Sequence, residues 1–329
     1  MNNRRKLIVA FGMSVLAAPL ETFAQQPASG MHRIGFLGPT SGAGIAKRLE
    51  GLRLGLRELG YVEGKNLFIE FRWAEGKYDR LTELAAELVH LNVELIVTYA
   101  TPGSRAAKQA TTAIPIVVAS VGDAVAAGLV ASLARPGGNI TGSTVFSPEL
   151  QAKRLELLKE AFPRIKRVAV LTNLENVAFN GPNLQAMTVT AKSLKMELQQ
   201  FGVRSPYEFE NAFAAMSKQR FEAVAVTEDV MLTANAEAVA SLAARHKIPA
   251  VGSVEFAESG GLMAYGVNFP AMFRRAAVFI DKILKGAKPG DLPIEQATTF
   301  ELVINMKAAK PLGIKFPNSI LVRVDKVID

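Results

Sequence analysis

From Arg33 onward, short runs of Val, Ile, Leu and Phe alternate with stretches of helical periodicity, and that β-α-β-α order restricts the fold more than any other feature. Apolar strands separated by helices are the pattern of a parallel sheet covered on both faces. Strands are expected at 34–37, 67–73, 95–99, 116–120, 140–145, 168–172, 197–201, 223–227, 250–252, 262–265, 301–305 and 320–324. The first helix shows how the intervening stretches work. Leu49, Leu52, Leu56 and Leu59 recur at three- and four-residue spacing, Arg53, Arg57 and Glu58 take other faces, and Gly60 ends the run. A long helix is expected at 270–285.

The sequence Arg135-Pro136-Gly137-Gly138-Asn139 forces a turn, and a second series of β-α units begins after it with a helix at 148–162. The expected fold is therefore α/β, with two doubly wound parallel-sheet lobes. Residues 31–145 plus about 268–290 form the first, residues 146–267 plus about 291–329 the second, and the late elements tie them together. A chain of 329 residues suits two domains at roughly 150 residues each.

Residues 1–24 are expected to be a cleavable secretory signal peptide. Arg4, Arg5 and Lys6 precede an apolar stretch from Leu7 to Leu20, and Thr22-Phe23-Ala24 stands before Gln25. That stretch is short of the roughly 20 residues a bilayer span takes, and Arg4-Arg5 is compatible with twin-arginine export. Lys and Arg number 38 against 30 Asp and Glu, but they stand singly with acids between them rather than on one basic face, so no nucleic-acid partner is expected. Without cysteine there is no disulfide, no thiolate zinc site and no residue for lipid attachment behind the signal.

Ligands of open parallel sheets bind beyond the carboxyl ends of the strands, and the loops there are small and polar. Thr40 and Ser41 follow the first strand, Tyr99, Thr101 and Ser104 the third, and Ser120 and Asp123 the fourth. In the second half the matching positions are Thr172 and Asn173, Glu228 and Asp229, Glu255, and Tyr265 with Asn268. Hydroxyls beside a helix N-terminus would receive a carboxylate, and Asp123, Glu228 or Asp229 an ammonium group. Trp73, Tyr99, Phe146, Phe179 and Tyr265 are candidates for an apolar wall, Tyr99 and Tyr265 foremost. Each has a purely structural alternative: Thr101 and Asp229 as helix caps, Asp123 as a turn residue, Glu255 as a first-turn acid, the aromatics as core or rim.

Enzymatic readings fit poorly. His32, His90 and His246 are scattered, which suggests neither a metal cluster nor a Ser-His-Asp set. Gly42-Ala43-Gly44 begins like a dinucleotide fingerprint but places Lys47 at the third glycine, and a P-loop would need Gly-Lys-Ser/Thr where Gly44 precedes Ile45. Strand two ends in Arg72-Trp73 instead of the acid that takes ribose hydroxyls, although Glu75 is near. No catalytic residue, cofactor or metal is expected. A hydrolase or oxidoreductase on the same fold is the alternative.

Several segments together resemble a known family. They are Leu56-Arg57-Glu58-Leu59-Gly60-Tyr61-Val62-Glu63-Gly64-Lys65-Asn66-Leu67, Ser120-Val121-Gly122-Asp123 leading into Gly128-Leu129-Val130, and Arg135-Pro136-Gly137-Gly138-Asn139-Ile140-Thr141-Gly142. Arg154-Leu155-Glu156-Leu157-Leu158-Lys159, Gly261-Leu262-Met263-Ala264-Tyr265-Gly266 and Ile304-Asn305-Met306-Lys307-Ala308-Ala309-Lys310 add to it. The chain is similar over its whole mature length to the ABC-transporter substrate-binding proteins that include tryptophan/tyrosine-type binders, a branch of the type I periplasmic binding proteins. It departs from that pattern at Ala124, where the family has proline, and at Val267-Asn268, where it has an Asp-aromatic pair. The resemblance implies two lobes joined by hinge strands, closure on a small ligand in the cleft, and delivery to an ABC permease in the inner membrane. A periplasmic monomer binding an amino-acid-like or aromatic or apolar carboxylate ligand is the expectation, with a sensory module as a further alternative.

Overall fold

The structure, a computed structural model, describes residues 30–145 and 147–329. The expected signal peptide at 1–24 and the candidate Phe146 lie outside these. The first lobe is built from β1 (His32–Gly38), α1 (Ala46–Glu58), β2 (Leu67–Trp73), α2 (Leu81–His90), β3 (Ile96–Thr98), α3 (Ala100–Ala110), β4 (Ile116–Val121) and β5 (Ile140–Thr144). The second begins with α4 (Ser147–Ala161), β6 (Arg167–Asn173), α5 (Val177–Ser193), β7 (Glu197–Val203), α6 (Phe209–Lys218) and β8 (Ala223–Val226). It continues through α7 (Val230–Ala234), α8 (Ala236–Arg245), β9 (Ala250–Gly252), α9 (Val254–Glu258) and β10 (Met263–Gly266). Then follow α10 (Phe269–Leu284), β11 (Glu295–Gln296), β12 (Glu301–Asn305), α11 (Met306–Ala309), α12 (Asn318–Leu321) and β13 (Lys326–Ile328).

The first sheet has the order β11-β5-β4-β3-β1-β2 and the second β13-β12-β10-β9-β8-β6-β7. All pairings are parallel except β12 against β10. The α/β architecture with two mostly parallel sheets is thus as the alternation requires. Ile34 and Phe36 of β1 face α1 and α10, while Leu37 packs with Leu84 and Leu88 of α2 on the opposite face. In the second lobe Val168 and Val170 of β6 meet Leu155 and Met187, and Ala169 and Leu171 meet Phe209 and Phe213. Each fully buried aliphatic or aromatic side chain is worth about 1.5–3 kcal/mol, which holds the helices to the sheets.

Helix α10 follows β10 of the second sheet but packs against α1 and the first sheet. The approach is close because α1 is bare at Gly51 and Gly55, where a Cβ would strike the carbonyl oxygens of Pro270 and Arg274. Glu295 and Gln296 pair with β5, so the final return to the second sheet falls after Gln296 and not near residue 290. The chain therefore passes between lobes at three places: between Thr144 and Ser147, between Gly266 and Phe269, and between Gln296 and Glu301. Val145, Leu150, Val267, Phe269 and Met272, with Ala297 and Phe300 against them, form one apolar cluster across all three.

One expected strand begins inside a helical turn. Residues 320–324 are an apolar run broken only by Arg323, but Pro317 supplies a fixed φ just before that turn, and only Ile320 of Asn318–Leu321 is buried. Leu321 and Val322 are exposed, so the run has no buried sheet face to match, and the edge strand is β13 instead.

Candidate functional site

Between the carboxyl edges of the two sheets lies a narrow cavity of about 30 Å³, lined from both sheets. That is room for about one or two waters, so a larger occupant requires the two walls to part. The first lobe contributes Arg48, Ala100, Thr101, Ser120, Val121, Gly122, Val145 and Phe269, and the second Asn176, Phe179, Glu228 and Val230. Of the residues expected from sequence, the fold brings Thr101, Ser120 and Glu228 together here, with Phe179 from the apolar-wall candidates.

The first-lobe wall centres on the start of α3. Its N-cap, Tyr99, makes no side-chain cap bond, and Pro102 has no N–H, so the orphan amides of the first turn are left to whatever occupies the cavity. Their partial positive charge suits an anion. Ala100 holds a left-handed φ of 58°, which carries an energetic cost for a residue with a Cβ. Among the described residues the other non-glycine positions with positive φ are Glu75, Asn92, Lys195, Arg220 and Lys247, none of which lines the cavity.

The second-lobe wall is built from side chains. Arg154, fully buried on α4, donates from Nε to the Tyr265 carbonyl at 2.7 Å and from Nη2 to Glu228 Oε1. Gly266 makes room for this pair, since a Cβ there would lie 2.9 Å from Glu228 Oε1 and 3.0 Å from Arg154 Nη2. Behind Asn176, α5 buries Asn180, whose Nδ2 donates to the Asn173 carbonyl, and Asn183, whose Nδ2 donates to the Phe179 carbonyl at 2.6 Å.

The lobes meet along a seam beside the cavity. Arg48 on α1 donates from Nε to Glu255 Oε1 at 2.7 Å and from Nη2 to Glu255 Oε2, with its guanidinium 4.1 Å from the centroid of the Phe269 ring. Burial alone would lower the Arg48 pKa, but the Glu255 carboxylate more than offsets it and leaves the guanidinium above its usual range. Nearer the rim, Lys47 and Lys326 both donate to Glu258, at 2.8 and 2.7 Å. On the other side Asn173 Nδ2 donates to the Tyr78 hydroxyl at 3.3 Å, and Val230 enters the apolar cluster of the first lobe.

The remaining expected residues have local partners. Tyr99 is core: fully buried between Phe36 and Phe273, its hydroxyl lies 2.7 Å from that of Thr40, and burial raises its pKa. Ser41 accepts from the Gly44 N–H, and both Thr40 and Ser41 line a separate depression of about 590 Å³ at the rim with Lys77, Arg204 and Tyr207. Ser104 donates to the Ala100 carbonyl, Asp123 accepts from the Val125 and Ala126 amides, and Thr172 accepts from Gln200. Asp229 caps α7 through the Met231 amide. Burial pushes its carboxyl above the usual range, while bonds from Asn176 and Asn173 pull it back. Glu255 is held by Arg48, Tyr265 stacks on Phe300, and Asn268 caps α10 through the Ala271 amide. Trp73 stacks on Phe71 in the first lobe.

Arg48, Asn176 and Arg154 are residues the sequence reading missed, and two had a signal. Arg48 lies four residues before Leu52 on the apolar stripe of α1, and Asn176 opens a stripe at apolar spacing on α5. Among the described residues no group of three or more His, Cys, Asp or Glu is placed to hold a metal ion, and no helix is long and apolar enough to cross a membrane.

The chain was compared with known proteins. A family model described as ABC transporter substrate binding protein matches residues 33–328. A tyrosine-binding protein of Clostridioides difficile is 28% identical over 272 residues, 82% of this chain and 78% of that protein. The crystal structure of an ABC domain in complex with L-Trp from Streptococcus pneumonia aligns with TM-score 0.81 at 28% identity, covering 90% of this chain and all of that one. The ligand-free, open structure of a substrate-binding protein with adhesive properties from Clostridium difficile aligns with TM-score 0.63 at 25% identity, covering 91% of this chain and 99% of that one.

Proposed function

The chain belongs to the ABC transporter substrate-binding protein family, and from that premise we propose that it is the exported receptor of an importer, closing its lobes on an amino-acid-like or aromatic carboxylate solute. The observation that carries the reading is the cavity itself, whose walls come from both lobes. A ligand favours closure only through contacts that exist in the closed state, so a site split between lobes can switch and a one-lobe site cannot.

In the proposed pose the ligand carboxylate lies at the start of α3 beside Thr101 and Ser120. Its apolar body packs against Val121, Val145, Phe179, Val230 and Phe269, and a polar end reaches Glu228. The names of the relatives, with tyrosine and L-Trp in them, support an aromatic amino acid as the first compound to try. The better match to the L-Trp complex than to the ligand-free open structure, and the ion pairs along the seam, support a closed arrangement here. Export through the N-terminal signal, residence in a periplasm as a monomer and docking on an inner-membrane permease complete the proposal. The proposed lobes are residues 31–145 with about 268–296, and 146–267 with about 297–329.

Native mass spectrometry of the protein as isolated, followed by thermal shift against L-tyrosine, L-tryptophan, aromatic carboxylates and small amides, tests this. A true ligand at a hundred times its Kd adds about 2.7 kcal/mol to the unfolding free energy. Silence across the panel, with no retained small molecule, would overturn it.

A further inference from the structure

The facing surfaces of α4 and α5 bury polar side chains where helices packed on a sheet ordinarily carry aliphatic ones. On α5, Asn176, Asn180 and Asn183 follow at four- and three-residue spacing, one stripe that continues into Met187. On α4, Gln151 and Arg154 are one turn apart and run on into Leu155 and Leu158. The two helices pack together; Asn176 at the head of the α5 stripe lines the cavity, Glu228 in the same wall is bonded by Arg154 of the α4 stripe, and Gln151, Asn180 and Asn183 stand behind that wall. Among the described residues, seven buried side-chain polar atoms lack a hydrogen-bond partner, and six of them belong to this cluster. They are both polar atoms of Gln151, Nη1 of Arg154, Oδ1 of Asn180, Oδ1 of Asn183 and Oε2 of Glu228. Folded proteins leave few such atoms, and gathering them in one place marks a spot that something polar occupies.

We propose that this cluster is the specificity subsite of the cavity, that it takes a nitrogen group rich in N–H donors, an amine or a primary amide, and that it rejects a carboxylate. The proposal rests on the solute-binding reading above. The free atoms set the chemistry: four are acceptors, on Gln151, Asn180, Asn183 and Glu228, and two are donor nitrogens, on Gln151 and Arg154. The charge of Arg154 is already matched by Glu228, so a second carboxylate would find no unneutralised cation and several lone pairs. An ammonium brings three N–H bonds and no acceptor, and a primary amide brings two with one acceptor, which the free donors can meet.

Calorimetric titration of the wild type with L-tyrosine, L-tryptophan and their desamino counterparts, 3-(4-hydroxyphenyl)propionate and indole-3-propionate, isolates the nitrogen. Each amino acid is expected to bind about 30-fold tighter than its counterpart, a ratio typical of hydrogen bonds to a charged group. In Asn180→Leu/Asn183→Leu that preference should fall to about threefold, affinity for the desamino acids should hold, and the free protein should melt no earlier than wild type. A purely structural stripe would move the melting point and leave the ratio alone. Should the double variant not fold, Gln151→Met reads the same ratio. Equal binding of the two classes, or a preference that survives the substitutions, overturns the subsite and leaves the solute-binding reading standing. If none of the four binds, the molecule retained in native mass spectrometry decides: an N–H-bearing compound supports the subsite, one without such a group overturns it, and no retained compound removes both readings.

Discussion

Around the start of α3 the first lobe meets the cavity with main chain and small side chains, Ala100, Thr101, Ser120, Val121 and Gly122, with Arg48, Val145 and Phe269 beside them, whereas the second meets it with Asn176, Phe179, Glu228 and Val230, backed by Arg154. The first wall's chemistry is that of an uncapped helix start, which accepts any carboxylate and cannot tell one from another. The second wall is made of amides, an aromatic ring and a matched ion pair, and such groups discriminate by what they leave unpaired. On the proposed reading one lobe anchors and the other selects.

The contrast is most easily broken at Arg154. Arg154→Leu strands the buried Glu228 carboxylate and should lower the unfolding free energy by about 3–5 kcal/mol in urea titration. A loss no larger than that of a first-wall substitution would erase the difference between the walls. At the seam, Glu255→Gln leaves the Arg48 guanidinium with a weaker partner and should cost about 1–3 kcal/mol, visible as a larger radius of gyration in X-ray scattering without ligand. An unchanged radius would mean that the seam pair does not hold the lobes together. On the first wall, Thr101→Val keeps shape and removes one hydroxyl, so ligand Kd should weaken by about 0.5–1.5 kcal/mol for every carboxylate tested alike. Unequal losses would show that this wall also selects.

The smallest effect belongs to the rim. Bonds from Lys326 and Lys47 outweigh burial and hold the Glu258 carboxyl below its ordinary value of 4.5. Its contribution is therefore complete above that value and is lost as pH falls through the depressed folded value. Glu258→Gln should flatten the acid limb of melting temperature against pH by less than about 1 kcal/mol, as expected for a pair whose lysines are largely exposed. An identical acid limb in the two proteins would remove the rim from the seam.

The fold was legible because alternation of apolar runs and amphipathic helices is a local signal, and β2, β9 and β12 fall on the expected residues. The site was legible in proportion to how far its parts are local. Thr101, Ser120 and Glu228 follow strands whose ends the topology brings together. Tyr99 follows one too, but its side chain turns into the core toward Phe273 on a helix 170 residues later, a contact no window of sequence contains. Arg48 and Arg154 read as surface cations because their partners, Glu255 and Glu228, lie far along the chain, and the place of Arg48 on the apolar stripe of α1 was the one local sign against that reading. Ile320–Val324 misled for the opposite reason, a short apolar run with no sheet face to receive it.

The apolar cluster of Val145, Val267, Phe269 and Phe300 clamps three strands of chain at one level. Three cords gripped together bend easily about the line of the grip and resist twisting or sliding past one another. On the proposed closure the two rims return to the same alignment each time, Lys47 opposite Glu258 and Gly44 against Ala234. On that reading, to a partner resting on both rims, occupancy is legible from outside as a change in the spacing of two fixed surfaces.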